Sequence, residues 1–426
     1  MLDVGTRISA PFCAGLLGEL GAEVIKIEVP GSGDFMRTIG PFASGSGATG
    51  GDGGHTAGDR ADVSQGDGPG YSLWWAVEGR GRKSVTCDLR QPEGQSIFRR
   101  LARLCDVVCE NFRAGTMERW RLGPGDLGDH LVYVRISVFG QTGPYATRPG
   151  LDRLGIAFGG LLYLTGYPDR PPVRPGVTVA DYLTGVFAAA AAVAALYERD
   201  RGAPRVPAGG DGGVHPASGG RARVVDAPLY GAILRILEWT LAAHDRLGVV
   251  RERSGNRLEH AAPLDNYPTA DQRTVCILGG SDANFARLCR AMDRAELVDD
   301  PRFSTAADRA AHGDEINGIV ATWAASLPAA EIDRRCVDAG VPVGTAYSAA
   351  DIFADAHMAA RGDLVSVEDP VLGPVRQQAP FPRFVGEPTR VPAGAPLLGQ
   401  HNDEVWRDLV GLSDEELATL RRSGVV

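Results

Sequence analysis

Asp181 stands where a carboxylate could do covalent chemistry. Before it runs the glycine-led, extended stretch Pro175-Gly176-Val177-Thr178-Val179-Ala180, and after it come Tyr182-Leu183-Thr184-Gly185-Val186 and the almost wholly alanine run Phe187–Leu196. Such a run predicts a helix buried on most sides, which puts Asp181 at its N-cap or in its first turn. Two roles fit that position. Aspartate is among the best N-caps, accepting hydrogen bonds from the first free amides of the helix. A carboxylate there also feels the positive end of the helix dipole, which should keep it ionised and hold it in one orientation. Small neighbours at Gly176, Ala180 and Gly185 would let a substrate approach closely, as a carboxylate nucleophile or base requires. The residues alone leave both roles open.

Other chemistries find less support. Seven scattered cysteines do not form a disulfide framework, and Cys105 and Cys109, four apart, read as small apolar core residues. No Cys-x-x-Cys or His-x-x-x-His spacing marks a metal site, so none is expected. Gly5-Thr6-Arg7-Ile8-Ser9-Ala10 lacks the Gly-x-Gly-x-x-Gly turn of a nicotinamide-binding loop. The 44 cationic residues against 53 acidic ones give a net charge of −9, which argues against a nucleic-acid partner and leaves a small anionic ligand possible. We count no apolar run of the ~18 residues a membrane span needs, and no leader, so a cytoplasmic protein without a membrane partner is expected. Only two lysines occur, Lys26 and Lys83.

The elements that would position these residues are those of an α/β protein. Leu2–Val4, Ala10–Leu20 and Glu23–Glu28 read strand, helix, strand, with Gly21 ending the helix. Ser84–Leu89, a helix from Pro92 to about Cys105, Val107–Glu110 and Leu131–Ser137 continue the alternation, predicting a doubly wound parallel sheet. Val224 to about Asp245 reads as one long amphipathic helix that opens a smaller lobe, with a strand at Thr274–Leu278. Ser413 and Glu416 form a capping box for the last helix. Two glycine-rich stretches, 43–70 and 202–222, lack the apolar content to fold and read as exposed, flexible insertions. The domains are therefore a large one over 1–200, a flexible linker over 201–223, a small domain with connecting helices over 224–335, and a return to the large domain over 336–426.

Several ordered motifs resemble the family III CoA-transferases, the CaiB–BaiF group that includes formyl-CoA transferase. They are Gly21-Ala22-Glu23-Val24-Ile25-Lys26-Ile27-Glu28 with Gly31-Ser32-Gly33-Asp34 and Arg37, then Arg80-Gly81-Arg82-Lys83-Ser84-Val85 with Asp88-Leu89 and Pro92-Glu93-Gly94. Glu110-Asn111-Phe112-Arg113-Ala114-Gly115, Ser137-Val138-Phe139-Gly140-Gln141-Thr142-Gly143-Pro144-Tyr145 and Ala395-Pro396-Leu397-Leu398-Gly399-Gln400-His401 follow in order. The match spans nearly the whole chain outside the glycine-rich stretches.

The resemblance implies a Rossmann-like large domain built from both chain ends, a smaller α+β domain and an interlocked homodimer. It makes Asp181 the catalytic nucleophile, which takes an acyl group from an acyl-CoA and passes CoA to a free carboxylic acid. Arg37, Arg82, Lys83 and Arg113 become candidates for the CoA phosphates, with Asn111 and Phe112 along its adenine or pantetheine. CoA enters as substrate, with no metal. Trp74, Trp75, Phe139 and Tyr145 are candidates for the acyl pocket. Departures narrow the reading: Leu151 stands where the racemase branch needs a proton-accepting histidine, and Ile8 stands where some members carry a glutamine. Ser254-Gly255-Asn256 is shorter than the polyglycine loop of the oxalate-type enzymes. His401 reads as structural and Asp152 as a helix cap. Intramolecular acyl-CoA isomerisation, α-carbon proton transfer and CoA-ester binding without turnover remain as alternatives.

Overall fold

The computed structural model describes residues 1–44, 70–201, 223–258 and 260–426. Nearly all of the two glycine-rich stretches, 45–69 and 202–222, lies outside these residues. Contacts group the chain into two units. The larger holds Met1–Leu161, Gly176–Glu238 and Gly362–Val426, and the smaller holds Leu162–Pro175 and Trp239–Arg361.

The larger unit is built on six parallel strands: β1 (Leu2–Asp3), β2 (Ile25–Glu28), β3 (Lys83–Thr86), β4 (Val107–Glu110), β5 (Val132–Ser137) and β6 (Arg223–Pro228). Their order is β3-β2-β1-β4-β5-β6. The sheet grows one way from β1 to β3 and the other way from β4 to β6, so the loops after β1 and β4 diverge and leave a crevice at their carboxyl ends. Short, wholly apolar or β-branched runs such as Val107-Val108 and Val132-Tyr133-Val134 suit strands covered on both faces. Helices α1 (Ser9–Glu19), α2 (Pro92–Ala102), α3 (Asp152–Phe158), α4 (Val179–Asp200) and α5 (Leu229–Arg235) belong to this unit.

Leu2, Ile27, Val85, Phe98, Leu101, Val108 and Tyr133 form its core, and the chain's end returns to it with Val405, Trp406, Leu417 and Val425. His401 and Asn402 cover the open edge of β3. His401 donates its amide to the Ser84 carbonyl and accepts from the Ser84 amide at Nδ1, and Asn402 accepts from the Thr86 amide at 2.8 Å. His401 is thus a structural residue that closes a sheet edge. The capping box of the final helix forms as expected between Ser413 and Glu416.

Two expectations are corrected. Val224–Asp245 is not one helix: Val224 and Val225 pair with Tyr133 and Val134 in the sheet, and Pro228 ends the strand. The β-branched pair beside a strand buried at five of its six residues wins over the helical spacing. Glu238, at φ 53°, then separates α5 from the helix Thr240–Leu247. The second correction is α4, which at 22 residues, with an apolar window of mean hydropathy 1.8, is long and apolar enough to cross a membrane by length and composition. Here it packs on α1, α5 and β5 inside the larger unit.

The smaller unit has an antiparallel sheet of Leu264–Pro268, Thr274–Leu278 and Val343–Thr345, covered by helices Asp282–Ala291, Gly313–Ala325 and Ala329–Ala339. Its core contains Tyr267, Val275, Ile277, Phe285, Leu288, Ile316, Val320 and Ile332. A fully buried arginine, Arg309, ties its loops by donating to the carbonyls of Ala262, Phe303 and Gly280.

Lys26 is completely buried between Asp3 at 3.5 Å and Asp34 at 2.8 Å, and donates to the Gly5 carbonyl. The chain's other lysine, Lys83, lies near the surface against Glu23 and Glu404. Lys26→Met is therefore expected to cost about 3–5 kcal/mol, because it leaves the buried Asp34 carboxylate without its cation and Asp3 with Arg82 alone. Lys83→Met should cost only about 0–1 kcal/mol. Denaturant unfolding of the two variants beside the parent measures the contrast.

Candidate active site

Asp181 is the third residue of α4, in its first turn. The cap is supplied from elsewhere. Thr178, the N-cap by position, makes no capping bond with its side chain. Asp152, buried in the first turn of α3, accepts from the amides of Ala180 at 2.8 Å and Asp181 at 3.2 Å through one oxygen. The capping that sequence reasoning allowed to Asp181 thus falls to Asp152, and the Asp181 carboxylate is left for another purpose.

Helix packing brings that carboxylate its partner. The buried face of α4 is Thr184, Gly185, Ala188, Ala189 and Ala192, and α1 lies across it. A Cβ at Gly185 would sit 2.8 Å from the Phe12 ring and 3.1 Å from the Ser9 carbonyl. Only glycine lets α1 come this close, and the approach sets the Ser9 hydroxyl beside the Asp181 carboxylate, whose proton affinity it lowers. Asn111 fixes the same segment, donating to the Thr6 carbonyl at 2.7 Å and the Ser9 hydroxyl at 3.2 Å while accepting from the Thr6 amide at 2.9 Å. Next along α4, Tyr182 donates to Glu78 at 2.8 Å and meets Phe12 edge-on.

Burial and the neighbouring Asp152 charge push the Asp181 pKa up to about 7, against the pull of the Ser9 hydroxyl and Arg7. This corrects the expectation that the helix dipole keeps it fully ionised. The amides at the helix start are already engaged by Asp152, so Asp181 meets a like charge where it would have met free donors. A carboxylate with a pKa near 7 is more basic than usual, and so more nucleophilic once ionised.

The candidate CoA contacts divide. Arg82 is buried and gives its guanidinium to Asp3 at 3.2 Å and the Pro11 carbonyl at 2.5 Å. Arg37 grips both oxygens of Glu28 at 2.7 Å, donates to the Pro396 carbonyl and lies on the Trp75 ring. Lys83 is held by two glutamates. These three cations, candidates for the CoA phosphates, are ion-paired with carboxylates of the chain, a pairing no local sequence pattern reveals. Asn111 likewise spends its amide on the β1–α1 loop. Arg113 is exposed and has no ion-pair partner among the described residues. Phe112, edge-on to Trp120 at 5.2 Å, lines a crevice of about 220 Å³ with Gly5, Thr6, Gly33, Asp34, Leu89 and Arg90. That crevice lies at the ends of β1, β2, β3 and β4, at the reversal of strand order, where open α/β sheets bind ligands.

Sequence reasoning missed Ser9 and Arg7. Ser9 left a signal, a lone hydroxyl opening an otherwise apolar helix, whereas Arg7 left none. Trp75 is buried with its indole N–H on the Pro396 carbonyl, so it does not line an acyl pocket. Phe139 and Tyr145 do cluster, with Phe158, at 5.4 to 6.0 Å.

Comparison with known proteins matches residues 1–402 to CoA-transferase family III. The chain is 38% identical to a succinyl-CoA–D-citramalate CoA-transferase of Chloroflexus aurantiacus, across all of this chain and 96% of that protein. It is 35% identical to the beta subunit of a succinyl-CoA–L-malate CoA-transferase of the same organism, with the same coverage. Among solved structures, a CaiB/BaiF family protein from Brucella suis superposes with a TM-score of 0.76 at 28% identity, covering 96% of this chain and 97% of that one.

Because the folded-state pKa of Asp181 lies above its unfolded value, the native state holds the extra proton between about pH 4 and 7, and stability falls as pH rises through that window. Asp181→Asn removes the effect. The variant should gain about 1–2 kcal/mol over the parent at pH 7.5 and nothing at pH 4, as read by denaturant unfolding at the two pH values.

Proposed function

This chain belongs to CoA-transferase family III, and on that premise we propose that Asp181 is the nucleophile that carries first the acyl group and then CoA. The observation that supports this most is the capping of α4 by Asp152, which leaves a half-buried carboxylate beside Ser9 with no structural task.

An Asp181 oxygen attacks the thioester carbonyl, the C–S bond breaks and CoA leaves as thiolate, so a mixed anhydride forms. The thiolate attacks the aspartyl carbonyl of that anhydride, releases the donor acid as its carboxylate and leaves an aspartyl-CoA thioester. The acceptor carboxylate attacks this thioester and expels the thiolate, which then takes the acceptor's acyl carbon and frees Asp181. No proton is consumed over the cycle. Ser9 holds the nucleophile's orientation between steps, and Asn111 holds Ser9.

As donor we propose succinyl-CoA, and as acceptor a short dicarboxylic acid, the substrates in the names of the two Chloroflexus relatives. The CoA nucleotide occupies the crevice beside Phe112, with Arg113 at its phosphates. The active form is an interlocked homodimer. In support, α4 turns Phe187, Val193 and Tyr197 outward at 41%, 50% and 59% exposure, an apolar stripe a second copy would cover. All seven cysteines are free thiols, which fits a reducing cytoplasm.

Two measurements test the reading. Incubation with succinyl-CoA in D₂O, trapping with hydroxylamine and peptide mass spectrometry should find Asp181 modified and no deuterium at the acyl α-carbon. Deuterium gained over an unmodified Asp181 would replace transfer with α-carbon chemistry. The rate of the first acyl transfer should rise with pH through about 7 as Asp181 ionises. Asp152→Asn keeps a cap but removes the charge, so the same limb should move roughly half a unit or more to lower pH.

A further inference from the structure

We propose that Arg7 receives the second carboxylate of the substrate and so makes this site select dicarboxylic over monocarboxylic acids. The inference rests on the transferase reading above and assigns its substrate preference to one residue.

Most cations near the site are committed. Lys26, Arg82 and Arg37 are spent on Asp3, Asp34 and Glu28. Arg7 differs from them in two ways, its backbone and its unused donors. Its backbone is left-handed, at φ 67°, a conformation an arginine adopts only under constraint. The constraint is visible: Asp34 accepts the Arg7 amide at 3.1 Å and the Thr6 hydroxyl at 3.2 Å, and is itself held by Lys26. The guanidinium then lies over the Phe35 ring, 3.9 Å from its centre. Stacking occupies one face of the guanidinium and leaves its in-plane N–H groups unused, since no carboxylate or carbonyl among the described residues accepts them.

A half-buried, pre-oriented fork of donors fits a carboxylate edge-on. It is also in the right neighbourhood. Arg7 lies two residues before Ser9, whose hydroxyl acts on Asp181, and it is the cation whose charge acts on that carboxylate. An acid activated at one end beside Asp181 can therefore present its other end to Arg7. Phe35 is 43% exposed, so the stacked guanidinium lies where a soluble acid can reach it.

The same donors could meet a CoA phosphate, and the test separates the two. With succinyl-CoA as fixed donor, kcat/KM is measured for L-malate and for L-2-hydroxybutyrate, which replaces the far carboxylate by a methyl group. The enzymes are the parent, Arg7→Gln, and Arg7→Gly, which keeps the left-handed backbone. Effects on the donor half-reaction cancel in the ratio of the two acceptors. The parent should favour malate, and in both variants that ratio should fall by roughly 30-fold or more, as for loss of a charge-assisted contact. A parent without preference, or a ratio unchanged in the variants, overturns the proposal, including the case where only the KM for acyl-CoA rises. If the parent moves CoA to no acid at all, the transferase reading falls and this inference with it.

Discussion

Six charges at the carboxyl ends of β1 and β2, five of them buried and Arg37 partly so, hold the rest of the site in place. Asp3, Glu28 and Asp34 stand against Lys26, Arg37 and Arg82, three of each sign and each ionically paired. Burying charges is costly, and a well-packed apolar cluster would serve stability as well or better. What the ions supply is direction. Asp34 gathers the amides of Arg7 and Met36 and the hydroxyl of Thr6. Glu28 accepts from the Asp34 amide at 2.8 Å and the Ser84 hydroxyl at 2.5 Å. Two loops far apart in sequence are thereby fixed to one strand end, and Arg7 and Ser9 face the site because of it.

The second constraint is the competition between two carboxylates for one helix terminus. A helix start offers a few free amides and about half a positive charge, enough to satisfy one anion well. Asp152 takes the amides. Asp181, three residues past the N-cap position, receives instead a like charge and partial burial, and its affinity for a proton rises to match. The arrangement sacrifices stability at neutral pH to keep a basic carboxylate in a fixed place. A more solvated aspartate would be ionised but a poorer nucleophile, and water would compete with it.

How much of this was legible in the sequence follows from the range of each interaction. Val107–Glu110 and Thr274–Leu278 were read to the residue, since apolar runs bounded by turn residues are local signals. Asp181 was legible for the same reason, because the alanine run beside it predicts both helix and closeness. The pairing that assigns a charge its task is not local. Asp152 caps a helix 28 residues further on, and Arg82 closes on Asp3 across 79 residues. Within the matching motifs the sequence therefore shows an arginine's charge but not the carboxylate it pairs with, as for Arg37 and Arg82. The strand Arg223–Pro228 was misread because its neighbour β5, not its own spacing, decides its conformation.

The strand order β3-β2-β1-β4-β5-β6 is the one in which dinucleotide-binding proteins set a pyrophosphate against the first loop, using free backbone amides. Here that loop has none to offer at the corresponding turn. The amide of Gly5 goes to Asp3 at 3.1 Å, that of Thr6 to Asn111 at 2.9 Å and that of Arg7 to Asp34 at 3.1 Å. A phosphate placed there would find its usual donors occupied and two buried carboxylates, Asp3 and Asp34, close behind them. Anion binding on this sheet must therefore move to side chains at the rim of the crevice. The loop after β1 is freed for a different use, presenting Ser9 to the Asp181 carboxylate and Arg7 to the solvent side of it. A scaffold shared with dinucleotide enzymes thus becomes one for acyl transfer by internal hydrogen bonding of a single loop.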